Sequence, residues 1–154
     1  MADPQVVNEL LFSPNLSINE TGALDPAASV GRGTVTVFDT TSRVETGKVE
    51  FEVPGIRREG VQAVDIEMAR DGATAYVALG SANRVAEVDA KTLAVRRLYL
   101  VGQRPWHLAL SDDQKRLVSA NGNSGDISFI DLENEEVVKS VPVGRGPWGV
   151  VIGP

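Results

Sequence analysis

At 154 residues the chain has the length of one domain and can bury a core, and its 42% apolar and 23% charged residues are ordinary for a globular protein. A formal charge of −6 with no basic run argues against nucleic acid or an anionic membrane as partner, because phosphate binding needs a basic face. Having no cysteine, the chain is barred from disulfides, thiolate metal sites, covalent c-type haem attachment and a cysteine nucleophile. Met1-Ala-Asp-Pro lacks the basic and apolar segments of a signal peptide, and no apolar run approaches membrane-spanning length, so no membrane span is expected.

In chain order, Val6-Val7 and Leu10-Leu11-Phe12 read as short strand, and Ser13-Pro14-Asn15 as a turn. Ser17 to Gly33 is rich in Asn, Gly, Pro, Ala and Ser and reads as a long loop. It overlaps two glycosylation tripeptides, Asn15-Leu-Ser17 and Asn19-Glu-Thr21, of a kind common by chance. Thr34 to Asp39 alternates and is β-branched, as a half-buried strand should be; Lys48 to Val53 alternates again before Pro54-Gly55.

From there a pattern recurs. Strands are expected at Val64–Met68, Ala75–Leu79, Val85–Val88 and Val95–Val101, with Asp71-Gly72 as a hairpin signal. They are expected again at Trp106–Leu110, Arg116–Ala120, Ile127–Ile130 and Val137–Val143. Trp106 and Trp148 lie 42 residues apart, as do Gly80 and Gly122, Asp89 and Asp131, and Gly102 and Gly144. Four short strands per 42 residues is the signature of a propeller blade. The expected architecture is all-β: β-propeller blades of four antiparallel strands, three blades plus one closing strand, as a single partial propeller. Blade one covers about 5–55 and is irregular, blade two about 61–102, blade three about 103–144, and the closing strand about 145–153. Asp39, Asp89 and Asp131 each end a strand, where a carboxylate fixes a turn by accepting backbone N–H groups; this explains them better than a shared acid or metal site.

The pieces Tyr76-Val-Ala-Leu-Gly80, Val85-Ala-Glu-Val-Asp89, Ile127-Ser-Phe-Ile-Asp131 and Ser140-Val-Pro-Val-Gly144 resemble the YVTN family of β-propeller repeats. The ending Val143-Gly-Arg-Gly-Pro-Trp-Gly149 is similar to the propeller proteins associated with pyrroloquinoline-quinone-dependent alcohol catabolism. That resemblance implies a ring of about seven blades and a periplasmic or extracellular location. It also implies a non-enzymatic binding or scaffolding module accessory to quinone-dependent alcohol oxidation, with no cofactor of its own. The alternatives it leaves are a lactonase-type or redox propeller enzyme and a surface-layer structural repeat. Three blades make too tight a ring, so a homo-oligomer or a longer propeller is expected to complete it.

In the usual propeller wiring, the linkers between blades and the turns of the middle hairpins share one end of the ring. That mouth gathers Arg57, Arg58, Arg84, Arg104, Arg145, Asn83, Asn121 and Asn123, and arginines suit a small anionic ligand or a carboxylate on a protein partner. Arg104 and Arg145 are taken as equivalent, close enough to share one anion or else directed to solvent. Trp106 and Trp148 start successive inner strands and are expected to fill wedges between blades rather than stack on a ligand. His107, the one histidine, is expected to hydrogen-bond Asp65 and cannot by itself anchor a metal or haem. No catalytic residue is assigned. No nucleophile-elbow, zincin, Walker or Rossmann motif is present.

Overall fold

The structure is a computed structural model that describes residues 5–7, 10–14 and 33–153. Both glycosylation tripeptides, and all but the last residue of the loop expected from Ser17 to Gly33, lie outside the described residues.

Among the described residues twelve strands form three four-stranded antiparallel sheets, each a meander in which successive strands pair. The first sheet is β1 (Gln5–Val7), β2 (Leu10–Pro14), β3 (Thr34–Asp39) and β4 (Glu45–Glu50). The second is β5 (Ala63–Met68), β6 (Thr74–Leu79), β7 (Arg84–Asp89) and β8 (Val95–Leu100). The third is β9 (Pro105–Leu110), β10 (Arg116–Asn121), β11 (Asp126–Asp131) and β12 (Glu136–Pro142). No α-helix occurs among the described residues; two single turns of 3-10 helix sit at Arg58–Gly60 and Gly80–Ala82. The arrangement is consistent with a β-propeller, and none of the sheets is closed.

The repeat holds down to the irregularities. β5, β6 and β7 begin 42 residues before β9, β10 and β11. Each outer pair carries a register shift at the same place, after Val37, Glu87 and Phe129. The turn chemistry agrees as well. Asp89 Oδ1 accepts N–H bonds from Lys91 (2.9 Å) and Thr92 (2.7 Å), and Asp39 and Asp131 repeat this with Thr41 and Ser42, and with Glu133 and Asn134. One boundary differs from expectation: β4 covers Glu45–Glu50 rather than Lys48–Val53, because pairing with β3 starts as soon as the Asp39 turn closes.

Alternate residues of the middle sheet face opposite neighbours, so it contributes to two cores. Ile66, Val77, Leu79, Ala86 and Val88 pack with Val35, Val37 and Val49 of the first sheet and with Phe51 just after it. Val64, Tyr76, Val85 and Tyr99 pack with Leu108, Leu117 and Ile130 of the third. Each fully buried Val, Leu, Ile or Phe side chain among them contributes about 1.5–3 kcal/mol of transfer free energy. The third sheet departs from this plan on its inner face, where Ser119, Asn121 and Ser128 are wholly buried. Their counterparts one repeat earlier are Val77, Leu79 and Ala86.

The expected closing strand does not form. Beyond Pro142 the described backbone has no strand, and Trp148 and Val151 are 75% and 90% exposed. A strand requires a ladder of backbone bonds, and this segment shows one side-chain bond instead, Val150 N–H to His107 Nδ1 at 3.4 Å. Trp148 therefore rests on Trp106 and is not enclosed between these three sheets.

Candidate site at the linker end of the sheets

The linker between β8 and β9 crosses one end of the sheets beside the β6–β7 and β10–β11 turns. It is held by bonds through both its N–H groups and its carbonyls. Gly102 N donates to Ser128 Oγ (3.1 Å), Gln103 N to Ser124 Oγ (2.8 Å), and Arg104 N to Asn83 Oδ1 (2.9 Å). In return, the Gln103 carbonyl accepts from Asn123 N (3.1 Å) and the Arg104 carbonyl from Gly122 N (2.9 Å). These bonds fix Arg104 in the left-handed region at φ 59°, a conformation that costs a non-glycine residue energy and survives only where neighbours impose it.

So held, the Arg104 guanidinium lies over the Trp106 ring, 4.7 Å from its centroid. Trp106 also stacks on Trp148, with centroids 5.3 Å apart and planes 15° from parallel. Gly122 makes room for this arrangement: a Cβ there would stand 2.5 Å from Trp106 Cδ1 and 2.7 Å from Nε1. Among the described residues neither Arg104 nor Arg145 forms an ion pair, whereas Arg58 pairs with Glu50, Arg96 with Asp89 and Arg97 with Glu135.

Two shallow depressions open beside the linkers. One, of about 250 Å³, is lined by Gly80, Ser81, Asn83, Gln103, Arg104 and Asn123. The other, of about 380 Å³, is lined by the Gly122–Gly125 turn, Pro142, Gly144, Arg145 and Gly146. They are the same feature one repeat apart, since Gly80, Ser81, Asn83, Gln103 and Arg104 correspond to Gly122, Asn123, Gly125, Arg145 and Gly146. Asn83 and Gly125 share a left-handed backbone (φ 54° and 71°), as do Arg104 and Gly146 (both 59°).

Several expectations change here. Arg104 and Arg145 are not equivalent: Arg104 matches Gly146 and Arg145 matches Gln103, so the two arginines line neighbouring depressions rather than one. Asn121 is not at the surface. Its Nδ2 donates to Asp126 Oδ1 (2.7 Å) and Ser128 Oγ (2.8 Å), its Oδ1 accepts from Ser119 Oγ (3.1 Å), and it stabilises the linker from behind. Asn83 spends its side-chain oxygen on the Arg104 N–H. Where a His107–Asp65 bond is expected, Asp65 Oδ2 accepts from Leu108 N at 2.7 Å and His107 Nδ1 from Val150 N at 3.4 Å. Arg58 is occupied by Glu50, and Arg84 reaches back to the carbonyls of Ala82 and Asn83. The serine cluster beneath the linker escaped sequence reasoning, although the change from Val77 and Leu79 to Ser119 and Asn121 at buried strand positions was its visible signal.

Carboxyl groups with perturbed titration sit at the other end of the sheets. Asp39, Asp89 and Asp131 are lowered chiefly by the turn N–H groups they accept, and Asp113 by the Ser111 hydroxyl. Burial, with Glu87 nearby, pushes the Tyr76 phenol up to about 12. Among the described residues no three His, Asp or Glu side chains converge as a metal-binding group, and no helix is long and apolar enough to cross a membrane.

No protein-family model and no curated protein matches the chain. Among solved structures it is similar to Kuenenia stuttgartiensis hydrazine synthase, with a TM-score of 0.70 and 24% identity. The match covers 92% of this chain and 35% of that one, so the likeness is one of fold and this chain spans about a third of the other's length.

Proposed function

We propose that the chain is a non-enzymatic binding module whose three sheets are blades of a larger propeller, and that it binds through the linker end. One observation carries this: Arg104, free of any ion pair among the described residues, is clamped over Trp106, which stacks on an exposed Trp148. Arginine and tryptophan are the side chains that dominate protein–protein contact energies, and open, shallow depressions suit a protein surface better than an enclosed small-molecule pocket. The resemblance to the quinone-associated propellers supplies the partner class, a quinone-dependent alcohol dehydrogenase outside the cytoplasm. The outward face of the third sheet supports completion of the ring by a second copy or further blades. Ile127, Val141 and Val143 stand there at the places that Val85, Tyr99 and Val101 fill in the core behind it.

The test is a titration of wild type and an Arg104→Ala/Arg145→Ala double variant against such a dehydrogenase, with lactone and alcohol turnover assayed in parallel. Binding lost in the double variant, without turnover in wild type, supports the module. Turnover abolished by His107→Ala would overturn it in favour of an enzyme.

A further inference from the structure

Resting on that reading, we infer that the two depressions are tandem subsites for one extended ligand, an acidic segment of a partner protein lying across the linker end. Each repeat builds the same recess from a hairpin turn and the following linker, and each recess receives one arginine, Arg104 in the first and Arg145 in the second. Asn123 lines both, so the recesses are contiguous and not independent pockets. No carboxylate lines either one, although the chain carries a net charge of −6. The recesses are thus cationic on an acidic molecule, which selects an acidic ligand. A single small anion satisfies one arginine. A chain with carboxylates at successive positions satisfies both and gains from their linkage, because the second contact forms at high effective concentration. Trp148, 75% exposed and backed by Trp106, offers the apolar body of such a segment a flat surface beside the second recess.

The two tryptophans of the chain both stand at this site, so intrinsic fluorescence reports on it directly. The experiment titrates the intact chain with tryptophan-free oligoglutamates of two and eight residues, an octaglutamine control and succinate, at two salt concentrations. The octaglutamate is expected to bind at least about 10-fold more tightly than the diglutamate or succinate, weakening with salt. Arg104→Ala and Arg145→Ala are each expected to remove most of that advantage. Arg43→Ala, in the β3–β4 turn at the opposite end, should leave it intact. Equal affinity for diglutamate and octaglutamate, binding of octaglutamine, equal loss in Arg43→Ala, or no octaglutamate binding would each overturn the tandem subsites. The failure is separable from that of the binding module, because a dehydrogenase titration that depends on Arg104 would survive any of these results.

Discussion

Asp65 and His107 stand 42 residues apart at the same place on successive inner strands, and each accepts a hydrogen bond from a backbone N–H 43 residues further on. Asp65 Oδ2 takes the Leu108 N–H at 2.7 Å, and His107 Nδ1 takes the Val150 N–H at 3.4 Å. One side chain per repeat thus ties its sheet to the next segment. The Asp65 bond is short and buried, whereas the His107 bond is long and holds a segment with no ladder. Asp65→Ala leaves the buried Leu108 N–H without this acceptor and is expected to cost about 1–3 kcal/mol. His107→Ala should cost less than half as much. Urea denaturation of the two variants checks the order.

The fit of Trp106 over Gly122 leaves no space for a methyl group. Gly122→Ala is expected to destabilise by about 1–3 kcal/mol and to alter tryptophan emission, because the indole must move off the turn. A variant with unchanged emission and stability would contradict the contact.

Trp148→Ala tests the exposed half of the pair. With one ring face on Trp106 and the remainder in solvent, its loss should cost no more than about 0.5–1.5 kcal/mol, the range of an aromatic pair, and not the 3–5 kcal/mol of a core aromatic. Thermal unfolding distinguishes the two.

Arg43 has φ 58°, is exposed, and occupies the turn position matched by Leu93 (61°) and Glu135 (58°). Glycine adopts this conformation without the Cβ penalty, so Arg43→Gly should raise stability by a few tenths to about 1 kcal/mol, the gain being reduced by the extra freedom of the unfolded chain. A fall in denaturation midpoint would refute it.

Asp89 carries the clearest pH dependence. The Thr92 N–H, first among several donors that include Arg96, holds its carboxyl at about 2 against an ordinary value of 3.8. A carboxyl lowered in the folded state stabilises fully above its unfolded value and loses that contribution as pH falls through the folded one. Stability should therefore decline between about pH 4 and pH 2, and the decline should be shallower in Asp89→Asn, measured by urea titrations at fixed pH.

The strands were legible because their causes are local: β-branched alternation, the Asp turn and a 42-residue spacing place β5–β12 within a residue or two. The site was legible only in its residue types. The matching of Arg104 with Arg145 followed the Pro-Trp that comes after them, whereas backbone conformation pairs Arg104 with Gly146, and a one-residue offset decides which recess a side chain lines. The stacking of Trp106 on Trp148 does not follow from the period, because Trp148 lies on no strand and reaches Trp106 from the segment beyond Pro142. The role of Asn121 is marked only by its contrast with Leu79 one repeat earlier, which points to a buried position but not to the serines it meets there.

The buried serines and asparagine of the third sheet act as an address. The hydroxyl of Ser128 receives the Gly102 N–H from the linker that arrives from the second sheet, and Ser124 receives that of Gln103. Set behind the first sheet instead, the same face would meet Val35, Val37 and Phe51 without those donors. The two units are alike in length and strand plan yet are not interchangeable, so the order of the repeats along the chain is written into the molecule: a shuffled chain would lose the Gly102 and Gln103 bonds and set a polar face against an apolar one.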